Sequence, residues 1–236
     1  MRKLPIITLV VIIILVFSFG VMAKSNKADL KPEENVRAGG GFNVGVINLD
    51  ISSLNTILKD AGFAILDSNV LMYGGSGIGG EKIGYRLGGL GTGGRMKSVK
   101  NDKKAILDIG YGGLIFGKGI YTKNNFDLAW RSLIGAGSLE LTLIHNDPGI
   151  FEDVVKGVDE NNEPYSVSMT KNFFTIEPGI NLHYQFNKLV GIDFNAGYLL
   201  SFDIGDSWNI KDEPVNDGPL SNIKSPHLAL QLTLGF

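Results

Sequence analysis

Three histidines, His145, His183 and His227, are the only imidazoles in the chain. Ser166 and Ser168 lie across a long connection from His145, and Glu140 precedes it in the same segment. A histidine, a hydroxyl and a carboxylate brought together would suit a hydrolase or an acyltransferase, but such sites are defined by geometry rather than by spacing. No local motif ties these residues together, so the sequence assigns no catalytic residue. The segments GSGIGG (Gly75, Gly77, Gly80) and GLGTGG (Gly89, Gly91, Gly94) both match a dinucleotide fingerprint. That fingerprint works only where it opens a helix whose N-terminus receives the pyrophosphate. Both matches run into alternating segments instead, so nucleotide binding is excluded and no cofactor is expected. The acid-rich stretch DPGIFEDVVKGVDENNEP lacks the spaced ligands of a calcium loop. It reads as a solvated loop, and no metal site is expected.

The elements that would position these residues are strands. Alternation and turn residues predict eight of them: Val36–Ile47, Ser68–Gly79, Lys82–Ser98, Lys104–Tyr121, Phe126–Ile144, Ser168–Phe186, Lys188–Phe202 and Ser225–Phe236. The connections alternate in length. Asn48–Asp67, His145–Val167 and Asp203–Lys224 are long, Val99–Lys103 is intermediate, and the others are tight turns. In an up-and-down barrel all the long connections would lie at one end. The first contains LDISSLNTILKDAGF, which places Leu54, Ile57, Leu58 and Ala61 on one helical face. Asp50 or Ser52 would accept its first free N–H groups, and Gly62 would end it.

In FTIEPGINLHYQF the apolar residues from Phe174 to Phe186 alternate with Thr175, Glu177, Gly179, Asn181, His183 and Gln185. The polar sets are small, amide or acidic. Lysines fall at strand ends, and aromatics such as Tyr121, Phe126, Trp130, Tyr184 and Tyr198 gather near the ends of apolar faces. These features favour lipid outside and polar groups inside. Arg86, Asp108, Glu177 and Asp193 are then expected in the lumen as a structural ion-pair network. The Phe126, Leu128, Trp130 phase places Arg131 there too. The Leu139, Leu141, Leu143 phase would place Glu140 inside, and the two phases disagree. A bulge near Gly135–Gly137 would reconcile them. His183 is expected to join the lumen network and His227 to cap the last strand.

Composition and the ends of the chain set the class. The sequence MRKLPIITLVVIIILVFSFGVMA has the charged, apolar and small-residue regions of a secretory signal, giving cleavage near Ala23. The expected organisation is a signal peptide at 1–23, a polar leader at 24–35 and one barrel domain at 36–236. There is no cysteine, and the net charge of −2 gives no reason to expect a nucleic-acid partner. Glycine, at 32 residues, is far above ordinary usage and gathers in the first four strands. It suits close approach and kinks in a tightly curved barrel.

The signal, the eight alternating strands and the last strand LALQLTLGF, ending on Phe236, resemble the small eight-stranded outer-membrane barrels of the OmpA and OmpX type. The resemblance implies an eight-stranded antiparallel up-and-down transmembrane barrel with one short amphipathic helix in its first long loop. It implies outer-membrane lipid as the surrounding medium, and a terminal strand read by the barrel-assembly machinery through Phe236. A monomer in the outer membrane of a double-membraned bacterium is expected. A filled lumen would leave a structural or surface-interaction role through the long loops. An outer-leaflet lipid-modifying enzyme and a soluble periplasmic lipid-binding barrel are the alternative readings.

Overall fold

The computed structural model describes residues 35–145, 165–205, 208–211, 213–215 and 218–235. The expected signal and nearly all of the leader, the acid-rich loop and Phe236 lie outside the described residues.

Strands form where alternation predicted them. They are β1 (Val36–Asn48), β2 (Asn69–Glu81), β3 (Tyr85–Lys100), β4 (Lys103–Lys123), β5 (Phe126–His145), β6 (Tyr165–Gln185) and β7 (Val190–Asp203). A small hairpin, β8 (Trp208–Ile210) and β9 (Glu213–Val215), sits inside the last long connection, where the sequence suggested only loop. β10 (Lys224–Gly235) completes the chain of strands. Apart from the β8–β9 hairpin, successive long strands pair antiparallel, β1 pairs with β10, and the β5–β6 pairing closes the ring. Closure leaves the long strands no free edge within the ring, while above it β3 beyond Gly94 pairs only with β4, and β6 before Phe173 pairs with β5 and, through Thr170 alone, with Asn209.

The register is staggered. A row leaving Leu232 of β10 passes through Phe42, Gly75, Gly91, Gly112, Ala136 and Phe174 to Phe202 of β7. Phe202 lies beyond the Leu200–Lys224 pair at the far end of β10, so the row does not return to its start. That stagger tilts the strands. Asparagine makes three of the tight turns: Asn101 and Asn124 both take φ 54, a region its short polar side chain tolerates. Asn187 Oδ1 accepts from the N–H of Leu189 at 2.9 Å and of Val190 at 3.0 Å, which locks the β6–β7 turn.

Curvature explains the inward glycines. A Cβ on Gly41 would lie 1.8 Å from Leu232 O, and one on Gly135 would lie 2.0 Å from Gly112 O. The outward Gly79 and Gly91 would meet nothing within 4 Å, so their neighbours in the barrel do not require them to be glycine.

The first long connection folds into helix α1 (Ser52–Asp60). Leu54 and Leu58 are buried, but Ile57 faces outward at 52% exposure, so the buried stripe is narrower than the sequence suggested. Asp50 Oδ1 accepts from the Ser52 N–H at 3.3 Å and the Ser52 hydroxyl at 2.6 Å. The helix ends as expected at Gly62, φ 83, with Gly62 N–H donating to Lys59 O and Phe63 N–H to Leu58 O. Asn55 clamps the returning chain through both amide atoms, donating to Leu66 O at 2.9 Å and accepting from Leu66 N at 2.8 Å. Ser98 of β3 donates to Ala64 O at 2.8 Å, fastening this cap to the wall.

Side-chain direction alternates without interruption along β5 and β6, but polarity reverses. From Phe174 to Tyr184 the outward side chains of β6 are apolar and the inward ones are Thr175, Glu177, Asn181 and His183. From Ser166 to Asn172 the outward side chains are Ser166, Ser168, Thr170 and Asn172, with Phe173 buried behind them. β5 and β4 do the same: Leu139, Leu141, Leu107 and Ile109 are buried inward, while Glu140 and Asp108 point out. Leu54 and Leu58 of the cap join this apolar core. No bulge occurs at Gly135–Gly137. The register of β4 against β5 shifts instead between Gly119 and Tyr121. The conflicting phases in the sequence came from the reversal of polarity, not from an extra residue.

Adjacent residues separate these two environments. Leu107→Ala should cost about 2–5 kcal/mol of unfolding free energy, since Leu107 is fully buried. Ile106→Ala, on the opposite face, should cost much less. Reversible urea unfolding of the refolded barrel measures both, and equal losses would contradict the continuous phase.

Candidate functional site

The lumen near the short turns holds a charged network drawn from seven strands. Arg86 (β3) makes a bidentate pair with Asp127 (β5), Nη1 to Oδ1 at 2.8 Å and Nη2 to Oδ2 at 2.5 Å. Its Nε and Nη2 also donate to Glu81 O at 2.8 Å and Lys82 O at 2.5 Å, so this one side chain ties the β2–β3 turn to the interior. Arg37 (β1) donates Nη2 to Asp193 Oδ1 (β7) at 2.5 Å and Nη1 to both Asp127 and Asn181 at 3.3 Å. Arg131 (β5) donates Nη1 to Asn195 Oδ1 at 2.7 Å. Glu177 (β6) lies 3.0 Å from His227 Nδ1 (β10) and accepts from the Tyr111 hydroxyl at 3.3 Å. His183 places Nδ1 3.2 Å from Asp193 and Nε2 2.6 Å from Gln185. The Thr233 hydroxyl donates to Asp193 as well.

These groups are almost wholly buried, and buried charge is tolerable only when paired. Guanidinium groups suit the task because they stay charged and offer five donors in a planar fork. Side chains on strands far apart in the ring are thereby cross-linked, and the space left among them is about 20 Å³. The chemistry of the network is that of a structural plug.

The structure confirms Arg86, Arg131, Glu177, Asp193 and His183 as lumen residues and corrects three other assignments. Asp108 points out and pairs with Arg95, Oδ1 to Nε at 2.6 Å and Oδ2 to Nη2 at 3.0 Å. Glu140 points out and accepts from the Ser168 hydroxyl at 2.6 Å. Both lie in the part of the wall where polarity is reversed. His227 does not cap its strand; it is buried against Glu177 and Tyr111. Arg37 and Asp127 were missed, although Asp127 shares the parity of Arg131 on β5; Arg37 shares that of Asn43 on β1, which the structure buries. Lys171 was read as a strand-end lysine, yet it lies inside β6, 2% exposed, with Nζ 2.9 Å from Asp203.

The hydrolase-like set is not assembled. Glu140 and Ser168 meet on the outer face, but His145 has the opposite parity in β5 and pairs with Asp102 at 3.0 Å. Ser166 is exposed.

At the long-loop end the lumen is closed by α1 and by the residues before β10. A pocket of about 280 Å³ opens at this mouth, floored by Leu49, Leu139 and Ile223 and rimmed by Asp50, Ser53, Asn222 and Lys224. Leu220 and Asn222 take positive φ, 67 and 55, in the rim segment. The Ser52 hydroxyl, with its N–H, holds the Asp50 carboxyl below the usual carboxylate range. On the outer wall a shallow groove of about 610 Å³ runs over Gly93 and Gly110 between Tyr73 and the Arg95–Asp108 pair.

No protein-family model matches the chain, and no curated protein matches it. Among solved structures it is similar to Ail, the attachment invasion locus protein of Yersinia pestis, in complex with the heparin analogue sucrose octasulfate. The identity is 13%, the TM-score 0.44, and the match covers 86% of this chain and 98% of Ail. Neisserial surface protein A follows at 13% identity and TM-score 0.35, covering 85% and 97%. The outer membrane protease OmpT from Escherichia coli is similar at 10% identity and TM-score 0.25, covering 88% and 98%.

The inward and outward ion pairs should differ sharply. Asp127→Asn leaves Arg86 and Arg37 buried without their shared carboxylate and should cost about 3–5 kcal/mol. Asp108→Asn removes an exposed pair and should cost less than about 1 kcal/mol. Urea titration of both variants checks the assignment, and a costly Asp108→Asn with a silent Asp127→Asn would reverse it.

Proposed function

We propose that this chain is an integral outer-membrane barrel with a plugged lumen, which acts through the rigid cap and loops at its long-loop end. The observation that carries the reading is the reversal of polarity along unbroken strands. Below the reversal, the exterior presents Phe42, Leu114, Ile180, Phe194 and Leu230 around a charged interior. An apolar exterior needs an apolar medium, and buried charges in a closed ring need no water channel to satisfy them. The outward apolar run Phe174–Tyr184 spans about 11 residues. At about 3.3 Å per residue and a tilt of about 40° it rises about 25 Å, the height of an outer-membrane apolar band.

Above the reversal, β3 to β6 continue as a water-facing wall around an apolar core. That part would stand above the lipid as a platform, with α1, the β8–β9 hairpin and the mouth pocket on it. The platform is stiff because Asn55 and Gly62 hold the cap to itself and Ser98 fastens it to the wall. A stiff projecting surface suits contact with other molecules at the cell exterior, since little ordering entropy is lost on binding. The charged network supports a role other than general diffusion.

The test uses the full chain in a double-membraned host. The protein should remain in the outer-membrane pellet after a urea or carbonate wash, and a cysteine placed at Glu140 should react with a water-soluble maleimide on intact cells. Purified protein in planar bilayers should give no steady open-pore current. Recovery in the aqueous fraction, or sustained ohmic current from the wild type, would overturn the reading.

A further inference from the structure

The outer groove lies where the outward faces of β3 and β4 change from charged to apolar. On β3 the outward residues run from Arg95 through Gly93, Gly91 and Gly89 to Leu87. On β4 they run from Asp108 through Gly110 and Gly112 to Leu114. Gly93 and Gly110 are register partners in the groove floor, with Leu71 and Tyr73 on the apolar side and Arg95, Asp108 and Glu140 on the charged side.

The barrel's own packing does not require glycine in this floor. A Cβ on Gly110 would meet Thr92 O at 3.8 Å, an ordinary contact. Glycine weakens a strand, and there it marks a bulge, a bend or the close approach of another molecule. β3 and β4 pair through this region without a register shift, and Gly110 lacks the crowding found at Gly41 and Gly135. Close approach is the reason left.

The charged side selects what approaches. Arg95, Asp108 and Glu140 are successive register partners on three adjacent strands, each one strand spacing of about 4.8 Å from the next. Arg95 uses Nε and Nη2 on Asp108, and Glu140 accepts from the Ser168 hydroxyl. The row therefore carries one negative charge in excess, beside a guanidinium with Nη1 to spare. An ammonium fits at Glu140 and a phosphate fits at Arg95 Nη1. A purely anionic headgroup would set its charge against two carboxylates.

We propose that the groove binds one phospholipid with an ethanolamine headgroup. The headgroup lies along Arg95, Asp108 and Glu140, and an acyl chain passes over Gly110 and Gly112 toward Leu114. The site rests on the membrane-embedded barrel proposed above.

The test uses the full-length barrel, purified in detergent and offered phosphatidylethanolamine or phosphatidylglycerol, with binding read by native mass spectrometry. Recovery of each variant in the outer membrane is scored separately. The wild type should hold one phosphatidylethanolamine and bind phosphatidylglycerol about tenfold more weakly, and Glu140→Gln should lose that preference. Gly110→Leu should assemble and unfold at or above the wild-type midpoint, yet bind phosphatidylethanolamine about tenfold more weakly, because the leucine fills the floor. The wild-type preference and its loss in Glu140→Gln decide the site even if Gly110→Leu fails to assemble. Equal binding of the two lipids by the wild type, or full binding by a folded Gly110→Leu, would overturn the site and leave the membrane reading standing. Wild-type barrel absent from the outer membrane would overturn both.

Discussion

The seam between β1 and β10 runs from the Gly39–Gly235 pair to the Ile47–His227 pair. It joins the two ends of the barrel by backbone hydrogen bonds, and everything inside depends on it. A ring closed in this way leaves no edge to slip along. A shift of one residue would turn every side chain of a strand to the other face. With direction fixed, Arg37 must point at Asp193 and Asp127, and His227 at Glu177. Glycine at Gly41 lets the seam close, because any side chain there would strike the backbone of Leu232.

Fixed direction has a second consequence. One alternating strand has to serve two surroundings, since β4, β5 and β6 are longer than β1, β2, β7 and β10. Their surplus length lies at the long-loop end. There the outward faces carry Asp108, Glu140, Ser168 and Thr170, and the inward faces supply leucines that bury α1. Near the short turns the same parity gives apolar outside and charge inside. The apolar core and the ion network thus occupy successive levels of one lumen. The helix closes the upper level, and the guanidinium–carboxylate pairs close the lower.

Most strand boundaries were legible because period-two alternation is a local property. The inward positions of Arg86, Arg131, Glu177 and Asp193 followed from it directly. The positions of Asp108 and Glu140 did not, because parity had been inferred from polarity, and polarity changes meaning where the surrounding medium changes. The same inference produced a bulge at Gly135–Gly137 that the strand does not contain, while the real irregularity at Gly119 left no mark in the hydropathy. Lys171 and His227 were misread for a related reason: their partners Asp203 and Glu177 are distant in sequence, and only closure brings them within reach. The helix end at Gly62 was legible because a left-handed cap demands a residue type. The burial of Trp208 in the β8–β9 connection was not, since three-residue strands carry too little pattern.

The central claim is that the medium outside β6 changes between Asn172 and Phe174. Nitroxide labels placed singly at the outward positions from Ser168 to Tyr184, on barrel reconstituted in lipid vesicles, measure this directly through relaxation by oxygen and by a water-soluble nickel chelate. Collisions with the nickel chelate should dominate at positions 168, 170 and 172, and collisions with oxygen from 174 to 182, with a single crossover between the two sets. Nickel accessibility extending through Ile180, or oxygen dominance reaching Ser168, would contradict the account.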